Sequence, residues 1–206
     1  LFVVVPARSR FKNDAGALTP AILVRVARRD QGALELFFEH YYDRVYAHVV
    51  NLMRDPVLSQ DLTQDVFMRL QKVIGKLDPD RDPTGWVFTV ATNVVRDHWR
   101  SAEHKREQAA AGTGDPAELN LPHPDRDVQA AMEKDEELRA VWAALRQLSM
   151  DDREVILLRD YEELTTAEIA DMLNLKTDAV RQRHARAVAR LGKVFHQART
   201  EERPER

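Results

Sequence analysis

Between residues 34 and 53 the large apolar side chains fall at Leu34, Phe37, Phe38, Tyr41, Tyr42, Val45, Tyr46, Val49, Val50 and Met53. Steps of three and four gather all of them on one broad stripe of an α-helix, whereas the period of two in a strand would scatter them over both faces. The same spacing returns at Leu58, Leu62, Val66, Leu70, Val73 and Leu77, and again at Leu138, Val141, Trp142, Leu145 and Leu148. A further helix is expected from near Trp86 to about Arg106, and another over Asp151–Asp160 with Val155, Ile156 and Leu158 inside. No alternating run is long enough to suggest a strand, and no segment repeats. The chain is therefore expected to be all-α. Because the aromatic residues of the first stripe keep helix-packing spacing, they read as core rather than as a platform for stacking bases.

One segment interrupts this pattern. Residues 107–127, EQAAAGTGDPAELNLPHPDRD, hold two Gly and three Pro with few large apolar groups, which is the composition of a linker. The expected organisation is a loose arm at 1–20, a helical domain at 21–106, the linker at 107–127, a second helical domain at 128–194 and a fraying tail at 195–206. A chain of 206 residues has room for two such small domains.

Composition removes several classes of function. With no Cys there is no disulfide framework, thiolate zinc site or cysteine nucleophile, and the absence fits a reducing, cytoplasmic compartment. No apolar run approaches the roughly 20 residues that span a bilayer, so no membrane insertion is expected. An enzyme, such as a metal-dependent hydrolase built on the 7 His, is a poor fit. His98 and His104 are six residues apart, which is a poor ligand spacing on a helix, and neither an HExxH pattern nor a Gly-rich phosphate loop is present. No catalytic residue, metal or cofactor is expected.

The formal charge of −3 conceals a segregated distribution. Lys176 to Arg199 carry seven basic residues against Asp178 alone. Asp115 to Glu137 carry eight acidic residues against Arg126 and Lys134, and Asp30 to Lys72 carry seven acidic against four basic. One end is basic and the middle acidic, which points to different partners for different segments.

Three stretches carry the functional signal. In LTTAEIADMLNLKTDAVRQRHARAVARL, Thr165 and Glu168 have capping-box spacing, and Ile169, Ala170 and Leu173 form the inner face of a short helix. Asn174 stands where the chain must turn, a position that favours a residue tolerant of the left-handed conformation. Thr177 is expected to cap a longer helix with Val180, Ala187, Val188 and Leu191 inside. Short helix, tight turn and basic helix make a helix-turn-helix. On its outer face Arg181, Gln182, Ala185 and Arg186 suit major-groove readout, with Ala189 and Arg190 beyond them, and His184 falls on the inner side. In the helix from Trp86, the residues Asn93, Arg96, Asp97 and Arg100 share one polar face beside aromatic residues. That mixture suits unpaired bases read on their edges, and the Pro-rich loop from Asp78 to Thr84 offers a wall for an extruded base. In the helix that opens at Asp55-Pro56, the residues Gln60, Asp61, Gln64, Asp65 and Met68 form an acidic-polar ridge suited to protein docking. Alone, the second and third stretches read better as solvated helix faces, whereas the turn geometry favours DNA contact for the first.

Taken together, and in this order, DPVLSQDLTQDVFMRL, WVFTVATNVVRDHWR and the helix-turn-helix segment resemble the extracytoplasmic-function (ECF) class of bacterial RNA polymerase sigma factors over roughly residues 30–194. The resemblance implies a region 2 helical bundle and a region 4 helix-turn-helix. It implies that Asp61, Leu62, Gln64, Asp65 and Phe67 dock on the β′ clamp helices of the polymerase core, with the β subunit as a further contact. It implies that Trp86, Asn93, Arg96, Asp97 and Arg100 bind the melted −10 element, with the loop before Trp86 helping to capture a flipped base. Arg181, Gln182, Ala185 and Arg186 would read the −35 duplex. The linker would thread near the active cleft and RNA exit path, and an anti-sigma factor is an implied partner beside promoter DNA. Two positions depart from the family pattern: Asn174 replaces the common turn Gly, and His184 replaces an aliphatic residue.

Promoter melting of this kind needs no covalent chemistry from the chain. It needs a surface that binds unpaired bases better than paired ones, so that binding offsets an unstacking cost of a few kcal/mol per step. The alternative is a conventional operator-binding regulator, which would use the same helix-turn-helix as a dimer on a palindrome.

Overall fold

The computed structural model describes residues 18–111 and 136–201, with side chains described over 18–102 and 140–197. Most of the expected arm and linker, and residues 202–206 of the expected tail, lie outside the described residues. Every regular element among the described residues is helical, as the apolar periodicity requires. The helices fall into two compact units, the first holding α1 to α4 and the second α5 to α8.

In the first unit the helices are α1 (Pro20–Ala27), α2 (Gln31–Met53), α3 (Pro56–Val73) and α4 (Thr84–Ala111). Each of the first three starts on a cap written in the sequence. Thr19, Asp30 and Asp55 accept hydrogen bonds from Ile22, Ala33 and Leu58, and Pro20 and Pro56 occupy first-turn positions where a missing N–H costs nothing. The Ala33 amide and the Arg25 guanidinium hold the Asp30 carboxyl below its ordinary range. A single 3₁₀ turn at Ile74–Lys76 ends α3. Helix α4 runs on to Ala111, past the boundary expected at 106, through alanines with strong helix propensity.

The core of this unit is built from Phe37, Tyr41, Val45, Leu52, Val66, Leu70, Ile74, Phe88 and Val95, all fully or almost fully buried. Each large side chain removed from water contributes roughly 1.5–3 kcal/mol before the entropy cost of ordering it. Two polar features pass through this core. The Tyr41 hydroxyl and Thr84 Oγ1 lie 3.1 Å apart and tie α2 to the start of α4. The Arg44 guanidinium lies over the rings of Tyr41 and Phe88, 5.1 and 5.4 Å from their centroids, which covers a buried cation with aromatic faces.

The second unit comprises α5 (Glu136–Arg146), α6 (Met150–Ile156), a π turn at Leu157–Tyr161, α7 (Thr166–Leu173) and α8 (Thr177–Glu201). Its core joins Val141, Trp142 and Leu145 to Ile156, Leu157, Leu158, Ile169, Leu191 and Phe195. The helix expected over Asp151–Asp160 is thus an α-helix that widens after Ile156. The Glu162 amide bonds Leu157 O at 2.9 Å, the i→i−5 bond of a π turn. The capping box at Thr165 and Glu168 forms in both directions. Asn174 takes the left-handed conformation (φ 53°, ψ 48°), and the Leu175 amide bonds Ala170 O at 2.9 Å, closing α7 with a Schellman turn. Thr177 is the first helical residue of α8 rather than its cap, because the first helical bond runs from the Val180 amide to Lys176 O at 3.1 Å.

Candidate functional site

The ridge on α3 follows from its spacing. Gln60, Asp61, Gln64, Asp65 and Met68 are all exposed, while Leu62, Thr63, Val66 and Leu70 are buried against α2 and α4. Leu62, at 5% exposure, belongs to the core beneath the ridge and does not reach its surface. Phe67 is half-buried at the edge. Its ring packs edge-on against Phe38 at 5.4 Å and stacks with Tyr42 at 5.6 Å and 24° between planes. Tyr42, assigned to the core stripe from its spacing, is instead 44% exposed. The stripe is wider than the groove it fills, so its edge emerges as an aromatic shelf of Tyr42 and Phe67.

On α4 the inner face is Val87, Phe88, Ala91, Thr92, Val94 and Val95. The opposite face carries Trp86 and Arg96, half-buried, and Asn93, Asp97 and Arg100, exposed. Trp86 and Asn93 are seven residues apart and so point nearly the same way. The Asp97 carboxylate is not isolated. Arg69 Nη1, from α3, donates to its Oδ2 at 2.8 Å, and Arg100 Nη1 stands 3.8 Å from its Oδ1. The loop before Trp86 is held by its own aspartates. The Asp80 amide bonds Asp78 Oδ1 at 3.1 Å, the Arg81 amide bonds Asp78 O at 3.3 Å, and the Thr84 amide bonds Asp82 Oδ1 at 2.8 Å. These Asx turns give the wall beside Trp86 a fixed shape.

Helix α8 sorts its basic residues into two sets. Arg183 pairs with Asp151 at 3.2 Å, His184 Nε2 with Asp160 Oδ2 at 2.8 Å, and Arg190 with Asp152. All three carboxylates come from α6 and the π turn, so these contacts seat α8 against its own domain. Arg181, Gln182, Ala185, Arg186 and Ala189 are exposed on the other side. Arg181 shares its charge with Asp178, one turn earlier, at 2.9 Å, and Arg186 has no ion pair among the described residues. Arg190, expected on the outer face, is thereby drawn into the structural set.

Sequence reasoning missed Arg69 and the Tyr42 shelf. The Arg69–Asp97 pair joins residues 28 apart on different helices, so no periodicity announces it. The seating carboxylates Asp151, Asp152 and Asp160 were hidden for the same reason.

Residues 37–105 match the family described as Sigma-70 region 2, and residues 138–191 match Sigma-70, region 4. The chain is similar to the ECF RNA polymerase sigma factor SigK of Mycolicibacterium vanbaalenii, 32% identical over 186 residues that cover 88% of this chain and 91% of that protein. The RNA polymerase sigma-H factor of Pseudomonas aeruginosa is 26% identical over 181 residues, covering 84% and 92%. Among solved structures, the sigma factor RpoE in complex with the anti-sigma factor NepR from Bartonella quintana has a TM-score of 0.61 at 21% identity, covering 79% of this chain and 96% of that one. CnrH in complex with the cytosolic domain of CnrY has a TM-score of 0.60 at 22% identity, covering 86% and 97%. At such identities these two speak for the fold alone. The operator-binding alternative is not favoured, because it leaves the region 2 match without a role.

Proposed function

The chain belongs to the ECF sigma factors of bacterial RNA polymerase, and from that membership we propose how its surfaces divide the work of promoter-specific initiation. The first domain docks on the core enzyme through Asp61, Gln64, Asp65 and the edge of Phe67, with Leu62 supporting the ridge from below. Two exposed carboxylates one turn apart on a helix suit a helical partner with basic side chains, such as the β′ clamp helices. Trp86, Asn93, Arg96, Asp97 and Arg100 take the melted −10 strand. An Asn amide and a carboxylate bond the edges of unpaired bases, the arginines contact phosphates, and the preformed Asp78–Thr84 loop walls the flipped base. Arg181, Gln182, Ala185 and Arg186 read the −35 duplex from the N-terminal half of α8.

The observation that carries this reading is the sorting of α8. Its base-reading candidates are exposed, while the neighbouring Arg183, His184 and Arg190 are spent on the domain's own carboxylates. The proposed domains are those expected from sequence, at 21–106 and 128–194, lengthened where α4 runs on to Ala111 and where α8 runs on to Glu201 with Phe195 in the core, and the linker between them passes near the polymerase cleft. The protein acts in the cytoplasm with core polymerase, and an anti-sigma protein is its proposed inhibitor. Support for the inhibitor comes from the likeness to a fold that NepR binds in the RpoE complex.

Run-off transcription with core polymerase on a randomised promoter library tests the whole assignment. The full chain is expected to select paired −35 and −10 elements. Asn93→Ala should flatten the −10 preference and Arg186→Ala the −35 preference. Site-selective initiation unaffected by both variants defeats the residue assignment. The free chain, weakly acidic overall, should bind promoter DNA poorly at physiological salt, and tight specific binding without polymerase contradicts the proposed dependence on the holoenzyme.

A further inference from the structure

We propose that Arg69, on the docking helix, is the positioning residue for the Asp97 carboxylate on the base-reading helix, and that this partnership keeps the docking carboxylate Asp65 free. The inference rests on the reading of Asp97 as a −10 contact.

The default partner of Arg69 is not Asp97. Asp65 lies four residues before it on the same helix, and an acidic residue four positions ahead of a basic one is the favoured orientation for a helical ion pair. Arg69 nevertheless reaches across to α4 and donates to Asp97 Oδ2 at 2.8 Å. Asp65 stays exposed and makes no ion pair among the described residues. The partner choice therefore affects two surfaces. It leaves a bare carboxylate on the ridge for a basic polymerase helix, and it fastens a carboxylate on the DNA face.

Fastening matters more there than stability does. Both side chains are about half exposed, at 47% and 48%, and a pair so wet contributes little to folding. Its consequence is geometric. Arg69 holds one carboxylate oxygen from α3 by a hydrogen bond, while Arg100 stands 3.8 Å from the other, so Arg69 is the group that orients the carboxylate. A carboxylate has about four acceptor positions, so capacity remains for the amino group of an unpaired base. The flanking cations also offset a negative charge that would otherwise repel the phosphates of the strand it reads.

The test uses the full chain with core polymerase, on templates randomised across the −10 element and transcribed at two salt concentrations. The variants are Arg69→Ala, Arg69→Lys, Asp97→Ala and the Arg69→Ala/Asp97→Ala double, with polymerase affinity measured by competition and folding by thermal melting. Asp97→Ala should flatten base preference at one position. Arg69→Ala should flatten the same position by about fivefold or more, the low end of what one base contact provides. Arg69→Lys should keep most of the preference, and the double variant should match Asp97→Ala in base preference, while Asp97→Ala alone should weaken polymerase binding by releasing Arg69 to Asp65. Melting and polymerase affinity of Arg69→Ala should stay close to the parent chain.

Three results overturn the proposal. The first is a uniform loss across all bases with the salt slope reduced by about one, which makes Arg69 a phosphate contact. The second is a loss of polymerase affinity in Arg69→Ala, which makes Arg69 a docking residue. The third is an unchanged preference in Arg69→Ala while Asp97→Ala is flattened. If Asp97→Ala itself leaves every preference unchanged, Asp97 reads no base, and the failure lies with that assignment, taking the positioning role with it.

Discussion

His48 offers the sharpest test of how the first domain is held together. It is fully buried on α2, its ring packs edge-on against Phe88 at 5.1 Å, and neither ring nitrogen has a hydrogen-bond partner among the described residues. Burial pushes its pKa from 6.5 down to about 3. The folded state therefore holds a neutral imidazole, while the unfolded chain takes up a proton below its ordinary value. The sign follows: the stabilisation is complete above about pH 6.5 and is lost as pH falls towards 3, because acid favours the state that binds the proton. Each pH unit below 6.5 removes about 1.4 kcal/mol, so lowering the pH from 7.5 to 5 should cost roughly 2 kcal/mol at this one residue. Asp30 does not confuse this window. Its depressed carboxyl stabilises the fold above the ordinary carboxylate value and fades only in stronger acid. His48→Leu removes the titrating group and two unsatisfied nitrogens for a side chain of similar bulk. At pH 7.5 it should be neutral or stabilising by up to about 1 kcal/mol. Urea unfolding followed through the amide signals of Val45, Val49, Val94 and Val95 would report this domain alone. If the parent chain and His48→Leu lose the same stability between pH 7.5 and 5, the buried-imidazole account is wrong.

The second domain supplies three further tests. Arg190→Ala strands Asp152, whose side chain is 8% exposed, and should cost about 2 kcal/mol, whereas Arg186→Ala should stay within about 0.5 kcal/mol in urea unfolding. In transcription the order should reverse, with Arg186→Ala the more damaging at the −35 element. Thr165→Ala removes the hydroxyl that accepts from the Glu168 amide, leaving only the bond from its own backbone N–H to Glu168, and should lower the stability of this domain by about 1 kcal/mol, read as a shift of the urea midpoint. Asn174→Gly relieves a left-handed non-glycine residue and should raise stability by about 0.5 kcal/mol without altering promoter choice.

What was legible in the sequence is whatever depends on near neighbours. Asp55 with Pro56, Thr165 with Glu168, and Asn174 at the turn are local devices, and each takes its expected form. The buried faces of α3 and α4 follow from a period of 3.6, and so does the exposure of Asp61, Asp65, Asn93 and Asp97. Legibility stops where a side chain has two admissible partners or where a stripe exceeds its groove. Arg69 has a partner one turn away and another on a different helix, and only the packing of α3 against α4 decides between them. Tyr42 satisfies the apolar period yet lies at the stripe's edge. The π turn at Leu157–Tyr161 keeps the apolar pattern of an α-helix and differs only in which carbonyl accepts each amide. Thr177 has the chemistry of a cap, but the turn after Asn174 lets helical bonding begin one residue earlier, at the Lys176 carbonyl.

The ion pairs also explain how a chain of net charge −3 can carry two DNA-reading faces. Counting cations overstates the affinity of α8 for phosphate, because Arg183 and Arg190 are already neutralised by Asp151 and Asp152, and Arg181 shares with Asp178. On the outer face of the helix that leaves Arg186, and Lys193 two turns further on, exposed without an ion pair among the described residues. Each phosphate neutralised adds roughly 0.9 to the salt-dependence slope for duplex DNA, so a face with few free cations makes a weak contact with a shallow salt dependence. The first domain is similar, since Arg69 and Arg100 both answer to Asp97. Neither face alone is expected to hold stray DNA tightly, so promoter affinity should come from presenting both at once. On the proposed assignment, the acidic ridge on α3 makes this presentation depend on polymerase, because its carboxylates attract a basic protein helix and repel a phosphate backbone.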